Sequence, residues 1–324
     1  MRNKICIRKS TSSIRNLSNT IKNSLKDFKS NLPLTLLAFP GIVLVFIFCY
    51  LPLPGIILAF KKLDFAKGIF GSPFVGLENF KFLFFTDTAW RLTRNTVLMN
   101  LIFILAGMAC SVIIALLLFE VRNEIAVKVY QTAIIFPYFL SWVVVGYMSY
   151  GILSSQYGLL NVIIKAFGGE SVDWYSKPEW WPFFLALFYI WKSAGMGSII
   201  YYASLIGIDK EYYEAATIDG ATKWQMTRYI SLPFIYPMMT LLLILNIGNI
   251  IRADFGLFYY LTRDVPLLYP TTDVIDTYVF RVMRRIGDPG MAAAAGLYQS
   301  TVGFVLIVIS NYIVTKIEPD NALF

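Results

Sequence analysis

The side chains best suited to hold a ligand lie inside apolar runs, at helical spacing. Trp191, Gly195, Ser198 and Tyr202 form one stripe, with Lys192 beside it. Asn246, Asn249 and Arg252 drift around one side of a later run, with Asp254 just beyond. Trp142, Tyr147 and Tyr150 lie toward one end of another. Aromatic faces beside hydrogen-bonding groups are binding chemistry. A lysine within an apolar run is costly and functional by default. Each residue also has a plain structural reading. Trp and Tyr near span ends anchor helices at the interface, and Asn bonds to neighbouring helices. Arg252 and Asp254 form a structural pair on that reading, and Lys192 pairs with a partner subunit.

Bond-breaking chemistry is poorly supplied. The chain has no histidine, which removes the Ser-His-Asp triad, the Cys-His pair and histidine metal sites together. No Gly-x-x-x-x-Gly-Lys-Ser/Thr loop is present to cradle ATP. The apolar runs hold no series of acids for a proton relay, and Glu120 stands at a run's end. Cys6, Cys49 and Cys110 show no disulfide pattern.

These residues must be positioned by membrane helices. Of 324 residues, 57% are hydrophobic and 15% charged, against about 25% charged in soluble domains. Apolar runs cover 34–60, 96–119, 130–152, 181–206, 233–251 and 292–315, each near the ~20 residues that cross a bilayer. Helices satisfy their backbone groups there, so the fold class is an all-α integral membrane protein with six spans. Both ends then fall on one side. Residues 1–33 form a basic tail with eight Lys and Arg in the first thirty against one acid, Asp27. This cluster places the termini in the cytoplasm and does not indicate nucleic acid. Within the tail, Ile14, Leu17, Ile21, Leu25 and Phe28 share one helical face, which suits an anionic membrane surface or, equally, a disordered tail. Residues 319–324 form a short C-terminal tail.

One polar connection, about 209–233, is helical in pattern. Asp209 is an N-cap candidate, with Glu211 and Glu214 in the early turns. Gly220 follows Asp219 where a left-handed residue ends a helix. Thr222 and Gln225 have capping-box spacing for a second helix. Pro233 marks entry into the next span. Ala215 and Ala216 leave one side nearly bare, a face able to press into a groove; an ordinary helical connector explains the same pattern.

Here a resemblance decides. Glu214-Ala215-Ala216, Asp219-Gly220-Ala221, then Ile230, Leu232 and Pro233 resemble the EAA loop of binding-protein-dependent ABC permeases. The loop lies between the fourth and fifth spans, as in maltose-type carbohydrate permeases. Phe74-Val75-Gly76-Leu77-Glu78-Asn79-Phe80 and Arg94-Asn95-Thr96 look like that group's pre-core segment. Asp273 to Val279 and Gly296-Leu297-Tyr298-Gln299-Ser300 look like its polysaccharide and aldouronate branch. The resemblance covers roughly 70–318. Trp224-Gln225-Met226 departs from the Phe many members carry nearby, which affects fit.

The resemblance implies one helix before a five-helix permease core, within a membrane domain spanning 34–318. It implies a coupling loop in which Glu214, Ala215, Ala216, Asp219, Gly220 and Ala221 meet an ATPase. It implies no enzyme activity and no cofactor in this chain, with ATP and Mg bound by two partner ATPase subunits. The other partners are a second, different permease, an extracytoplasmic solute-binding protein, membrane lipid and an oligosaccharide. The setting is a bacterial inner membrane. Trp142, Tyr150, Trp191, Lys192, Asn246, Asn249 and Arg252 then become candidates for the sugar's path. The small face Gly296, Ser300, Gly303 and Ser310 reads as a packing seam. A helix over Thr272–Arg285 ends in Arg281, Arg284 and Arg285, which suits uronate-containing sugars or an acidic rim; a solvated charge cluster is the plain alternative. The rival readings are an ion-coupled secondary transporter and a membrane-embedded enzyme.

Overall fold

The computed structural model describes residues 31–317, so the amphipathic face of the basic tail and the C-terminal tail lie outside the described residues. Two units are described separately: the first helical stretch, to Ile57, and the body from Leu58. In the first unit α1 spans Leu32–Val45 and begins with Pro33 in its first turn. It continues through a π-helical turn, Phe46–Tyr50, into 3-10 turns over Leu53–Phe60. This apolar stretch of 29 residues is long enough to cross a membrane.

The body is helical throughout its spans. They are α2 (Thr88–Phe119), α3 (Glu124–Ile135) with α4 (Trp142–Leu153), α6 (Trp181–Ile206), α9 (Leu232–Gly248) and α12 (Pro289–Ile317). Between them lie α5 (Leu159–Ala166), α7 (Lys210–Ile218), α8 (Lys223–Met226), α10 (Phe255–Thr262) and α11 (Ile275–Arg281). Successive spans alternate in direction. The α7–α8 connection therefore sits at one end, and residues 154–180 and 249–288 sit at the other, called here the far end.

Two expected spans differ from their sequence reading. The run 130–152 is not one rod: Glu124–Phe139 and Trp142–Leu153 meet at 95°. Pro137 lies in a 3-10 turn, Leu140 and Ser141 are extended, and Ser141 Oγ then accepts the N–H of Val144 at 3.4 Å. A proline withholds a backbone donor, and Ser141 supplies a new N-cap. The fifth span does not start afresh at Pro233. A π-helical turn, Thr227–Ser231, joins α8 to α9, and Pro237 lies inside the span.

α2 and α6 run side by side in the same direction. Phe103 stacks on Tyr189 with ring centroids 4.4 Å apart, and Ser111 Oγ donates to the carbonyl of Ala194 at 3.1 Å. Small residues permit this approach. A Cβ on Gly195 would sit 2.1 Å from the Ile134 carbonyl oxygen, and one on Gly197 2.6 Å from Ser111 Oγ. Toward the far end, Val145, Trp181, Leu185, Leu257 and Phe258 form a buried core. Toward the α7–α8 end a second core holds Val112, Ala115, Tyr201, Leu205 and Ile235. Of the expected seam on α12, a Cβ on Gly303 would lie 2.8 Å from Ile251 Cγ2, whereas one on Gly296 would meet nothing within 4 Å.

Gly195→Ala therefore forces α3 and α6 apart, and overpacking of this kind costs about 1–3 kcal/mol. Thermal unfolding of the detergent-purified protein should show a lowered midpoint for Gly195→Ala. Gly151→Ala, where an added Cβ would meet nothing within 4 Å, should not lower it.

Candidate functional site

α7 is a short helix with both ends fixed by local chemistry. Asp209 Oδ1 accepts the N–H of Glu211 at 3.1 Å. At the other end Gly220 has φ +77°. Its N–H donates to Thr217 O at 3.1 Å, and Ala221 N–H donates to Ala216 O at 2.9 Å. These paired bonds are a Schellman stop. No atom lies within 4 Å of a Cβ placed on Gly220, so conformation rather than space demands glycine there. Thr222 N–H then donates to Gln225 Oε1 at 2.7 Å, and Gln225 N–H to Thr222 Oγ1 at 3.4 Å, which caps α8.

The elbow is held to the body along one side. The Tyr213 ring lies 5.7 Å from Phe119, its hydroxyl meets Ser231 Oγ at 2.9 Å, and Lys223 pairs with Glu120. The other side is free. Glu214, Ala215 and Asp219 are exposed, Ala216 is half-buried and no residue of α7 is buried. Ile218 is 86% and Trp224 68% exposed, large apolar groups without cover. Ile218 was not singled out by sequence; a β-branched residue just before the helix stop carries no signal of its exposure.

The substrate-path candidates divide into two groups. Trp142, Lys192 and Asp254 meet. Trp142 Nε1 donates to Asp254 Oδ2 at 2.6 Å. Lys192 Nζ donates to the Tyr138 carbonyl at 2.7 Å and lies 5.1 Å from the ring centroids of both Tyr138 and Trp142. Lys192 thus satisfies a carbonyl left open at the bend in the third span. Asp254 does not pair with Arg252. It caps α10, accepting the N–H groups of Gly256 at 2.9 Å and Leu257 at 3.3 Å, and Arg252 stays exposed. The local cap outcompetes the ion pair that sequence proximity suggested.

The remaining candidates stay apart from this junction. Asn246 donates back to Leu242 O at 2.8 Å and Asn249 to Leu245 O at 3.1 Å, each on its own helix. Trp191 is exposed beside an apolar hollow with Leu187 and Phe188. Tyr150 lies two turns beyond Trp142, where its hydroxyl meets that of Tyr157 at 3.5 Å. Asn100 is a contributor the sequence reading missed. Its Nδ2 donates to Ile250 O at 2.7 Å and Arg252 O at 3.0 Å, holding the break between α9 and α10.

Around that break Asp276 Oδ2 accepts Ala253 N–H at 2.9 Å and Gln299 Nε2 at 3.0 Å. Burial pushes the Asp276 carboxyl above the usual carboxylate range, with these two donors pulling the other way. The expected outer helix starts at Ile275 rather than Thr272, because Asp273 and Val274 are extended. Nor is its end a free basic cluster. Arg281 pairs with Asp264 at 2.9 Å and with Asp273, Arg91 reaches Asp273 at 3.1 Å, and Arg285 reaches Asp264 at 2.7 Å. The two carboxylates are 4% and 1% exposed. Of the three arginines expected to face outward, only Arg284 is exposed without an ion pair among the described residues.

The sequence model for binding-protein-dependent transport system inner membrane components matches residues 90–319. The protein LplB of Bacillus subtilis strain 168 is 34% identical over 288 residues, 89% of this chain and 90% of LplB. The polygalacturonan/rhamnogalacturonan transport system permease YteP of the same organism is 34% identical over 292 residues, 89% of each chain. Among solved structures, a bacterial ABC transporter involved in import of the acidic polysaccharide alginate superposes with TM-score 0.81 at 32% identity, covering 90% of this chain and 98% of that one. The alginate transporter in complex with a periplasmic protein carrying an alginate pentasaccharide gives TM-score 0.80 at 32% identity, over 90% and 97%.

Removing Arg281 leaves two buried carboxylates short of a partner, which costs about 3–5 kcal/mol. Arg281→Ala should sharply lower the thermal midpoint of the purified protein. Arg284→Ala, at an exposed side chain, should shift stability by less than about 0.5 kcal/mol.

Proposed function

The chain belongs to the family of binding-protein-dependent transport system inner membrane components, and from that membership we propose that it forms half of an import path for acidic oligosaccharides, opened by ATPase subunits docked on α7. It is the permease subunit of an ABC sugar importer and a multi-pass protein of the inner membrane. The family works with a binding protein and is not itself an ATPase.

One observation carries the coupling reading. α7 is capped at both ends, tied to the body through Tyr213, and presents Glu214, Ala215 and Ile218 uncovered. A rigid helix whose outer face lacks a partner is suited to a cleft on another protein. Glu214 faces basic groups there, Ala215 and Ala216 allow close approach, Ile218 adds apolar contact, and the Asp219-Gly220-Ala221 stop fixes the bend. The partners are two ATPase subunits, which bind ATP and Mg. A second, different permease completes the path. The coupling end and both termini face the cytoplasm, and the binding protein delivers sugar at the far end.

The acidic character of the substrate rests on the relatives. One serves polygalacturonan and rhamnogalacturonan, and a solved neighbour imports alginate. The Trp142–Lys192–Asp254 junction fits this reading, pairing an aromatic face with a cation beside the break in the fifth span. Arg281 and Arg285 do not add to it, since Asp264 and Asp273 already engage them.

Tagged chain purified from native membranes in mild detergent should bring down an ATPase and a second permease. Ala215→Glu, on an exposed position, should lose the ATPase at least tenfold while retaining the second permease. An unchanged ATPase yield removes the coupling reading. In proteoliposomes carrying the whole complex and its binding protein, trigalacturonate should enter faster than an equal-sized neutral trisaccharide. Equal rates remove the acidic reading.

A further inference from the structure

α4 and α10 are far apart in sequence and are drawn together by two glycines. A Cβ on Gly146 would lie 2.8 Å from the Tyr260 carbonyl oxygen, and one on Gly256 2.5 Å from the Trp142 ring. Neither position has room for a side chain, so the helices touch closely and their larger residues splay outward. Beyond the contact, toward the far end, lies a cleft of about 190 Å³. Its lining includes Tyr147, Tyr150, Tyr259, Tyr260 and Arg263. Tyr147 is 75% exposed and Tyr260 is exposed as well.

The backbone at the cleft is strained. Arg263 has φ 55° and Asp264 φ 51°, two successive non-glycine residues in the left-handed region. Such conformations cost about 1–3 kcal/mol each and persist where the surroundings enforce them. The turn separates the two side chains. Asp264 goes inward, nearly buried, to Arg281 and Arg285. Arg263 stays exposed, its guanidinium carbon 4.1 Å from the centroid of the Tyr150 ring. Its neighbouring carboxylate is thus committed elsewhere, and Arg263 forms no ion pair among the described residues. The result is an unpaired guanidinium held on an aromatic face and surrounded by further rings and hydroxyls.

That combination recognises one chemistry well. Tyrosine rings offer flat apolar faces to the C–H side of a pyranose, and their hydroxyls meet its hydroxyls. A guanidinium is weakly hydrated and binds a carboxylate through two parallel N–H bonds. We propose that the Tyr147–Tyr150–Tyr259–Tyr260–Arg263 cleft is a uronate-binding subsite at the far mouth of the path. There Arg263 takes the carboxylate and the tyrosines take the ring. The cleft's lining runs along α4 from Val143, next to Trp142, to Tyr150, eight residues or roughly 12 Å from Trp142. A sugar chain leaving the cleft would next meet the Trp142–Lys192–Asp254 junction. The proposal rests on the acidic-oligosaccharide reading.

The test is equilibrium binding to the whole purified complex in nanodiscs, without the binding protein, so that the permease alone selects. The probes are trigalacturonate and its methyl ester, equal in rings and hydroxyls but lacking charge. Arg263→Gln should weaken trigalacturonate about tenfold, as loss of a charged hydrogen bond does, and leave the ester unchanged. Arg263→Lys should lose less. Tyr147→Ala, on the facing helix, should weaken both probes by similar factors. Wild-type binding of trigalacturonate by Arg263→Gln overturns the subsite, as does equal loss of both probes in that variant or full binding of both by Tyr147→Ala. If the wild-type complex still prefers the acid and Arg263→Gln keeps that preference, the subsite fails and the acidic reading stands. If the wild type binds acid and ester alike, or neither, both fail.

Discussion

A backbone carbonyl inside a membrane has no water to turn to, and this constraint organises the whole body of the protein. Unbroken helices meet it internally. A transport path needs breaks, and each break frees carbonyls that something else must satisfy. Here side-chain donors do so. Lys192 serves Tyr138 at the bend of the third span, and Asn100 serves Ile250 and Arg252 after the fifth. Gln299 serves Ile251 and Asn161 serves Ser154 and Val172. Asn79 serves Leu58, Ala59 and Lys61, and Asn95 serves Pro270 and Asp273. An amide of this kind gives two N–H donors from one residue, which suits a place where several carbonyls converge.

The same constraint explains which parts of the fold were legible in the sequence. The six apolar runs and the elbow around Gly220 could be read because their causes are local. Asp209, Gly220, Thr222 and Gln225 all act within five residues of themselves, so their spacing carries the structure. The bend at Leu140 could not be read, because hydropathy reports composition and a broken span has the same composition as a straight one. Pro137 alone does not mark the break, since prolines also sit inside other spans, as Pro237 does. What makes Pro137 a break is the pair Ser141 and Lys192, and Lys192 lies 54 residues from Tyr138, whose carbonyl it serves.

Charged residues show the same limit more sharply. Arg281, Arg284 and Arg285 look alike as a cluster, yet only two have acids to meet, and those acids come from the turn at Asp264 and the extended segment at Asp273. Arg252 and Asp254 look like a pair because they are two residues apart, but Asp254 is worth more as a cap and as the acceptor for Trp142. Segments quoted for their family resemblance turn out to be fastening points. Arg94 and Asn95 hold the carbonyl of Pro270, Thr96 accepts the N–H of Ile275, and Tyr298 meets Thr93. Sequence reading saw a signature there; the physical reason is long-range closure of the far-end loop onto the start of α2.

Stiff and loose regions are therefore distributed unevenly, and that bears on how such a subunit works. The far-end loop is bound by two buried aspartates and the nearly buried Arg281, with Arg91 and Arg285 pairing from the surface side and Arg281 4.1 Å from the Tyr269 ring centroid. The α7–α8 elbow is held to the body by Tyr213, by Tyr212 edge-on to the Phe234 ring at 5.6 Å, and by the exposed Lys223–Glu120 pair, and exposed pairs are worth little. Yet α8 runs without interruption through the π-helical turn into α9. A continuous helix carries a displacement along its axis, and the far end of α9 stops at the carbonyls held by Asn100 and Gln299, beside Asp254 and Trp142. α9, packed through Ile235 into the core at the α7–α8 end, thus links the elbow to the junction where the third and fifth spans break. The ion-pair network fixes the far end more firmly than the α7–α8 end, which is the order that the proposed docking of an ATPase on α7 requires.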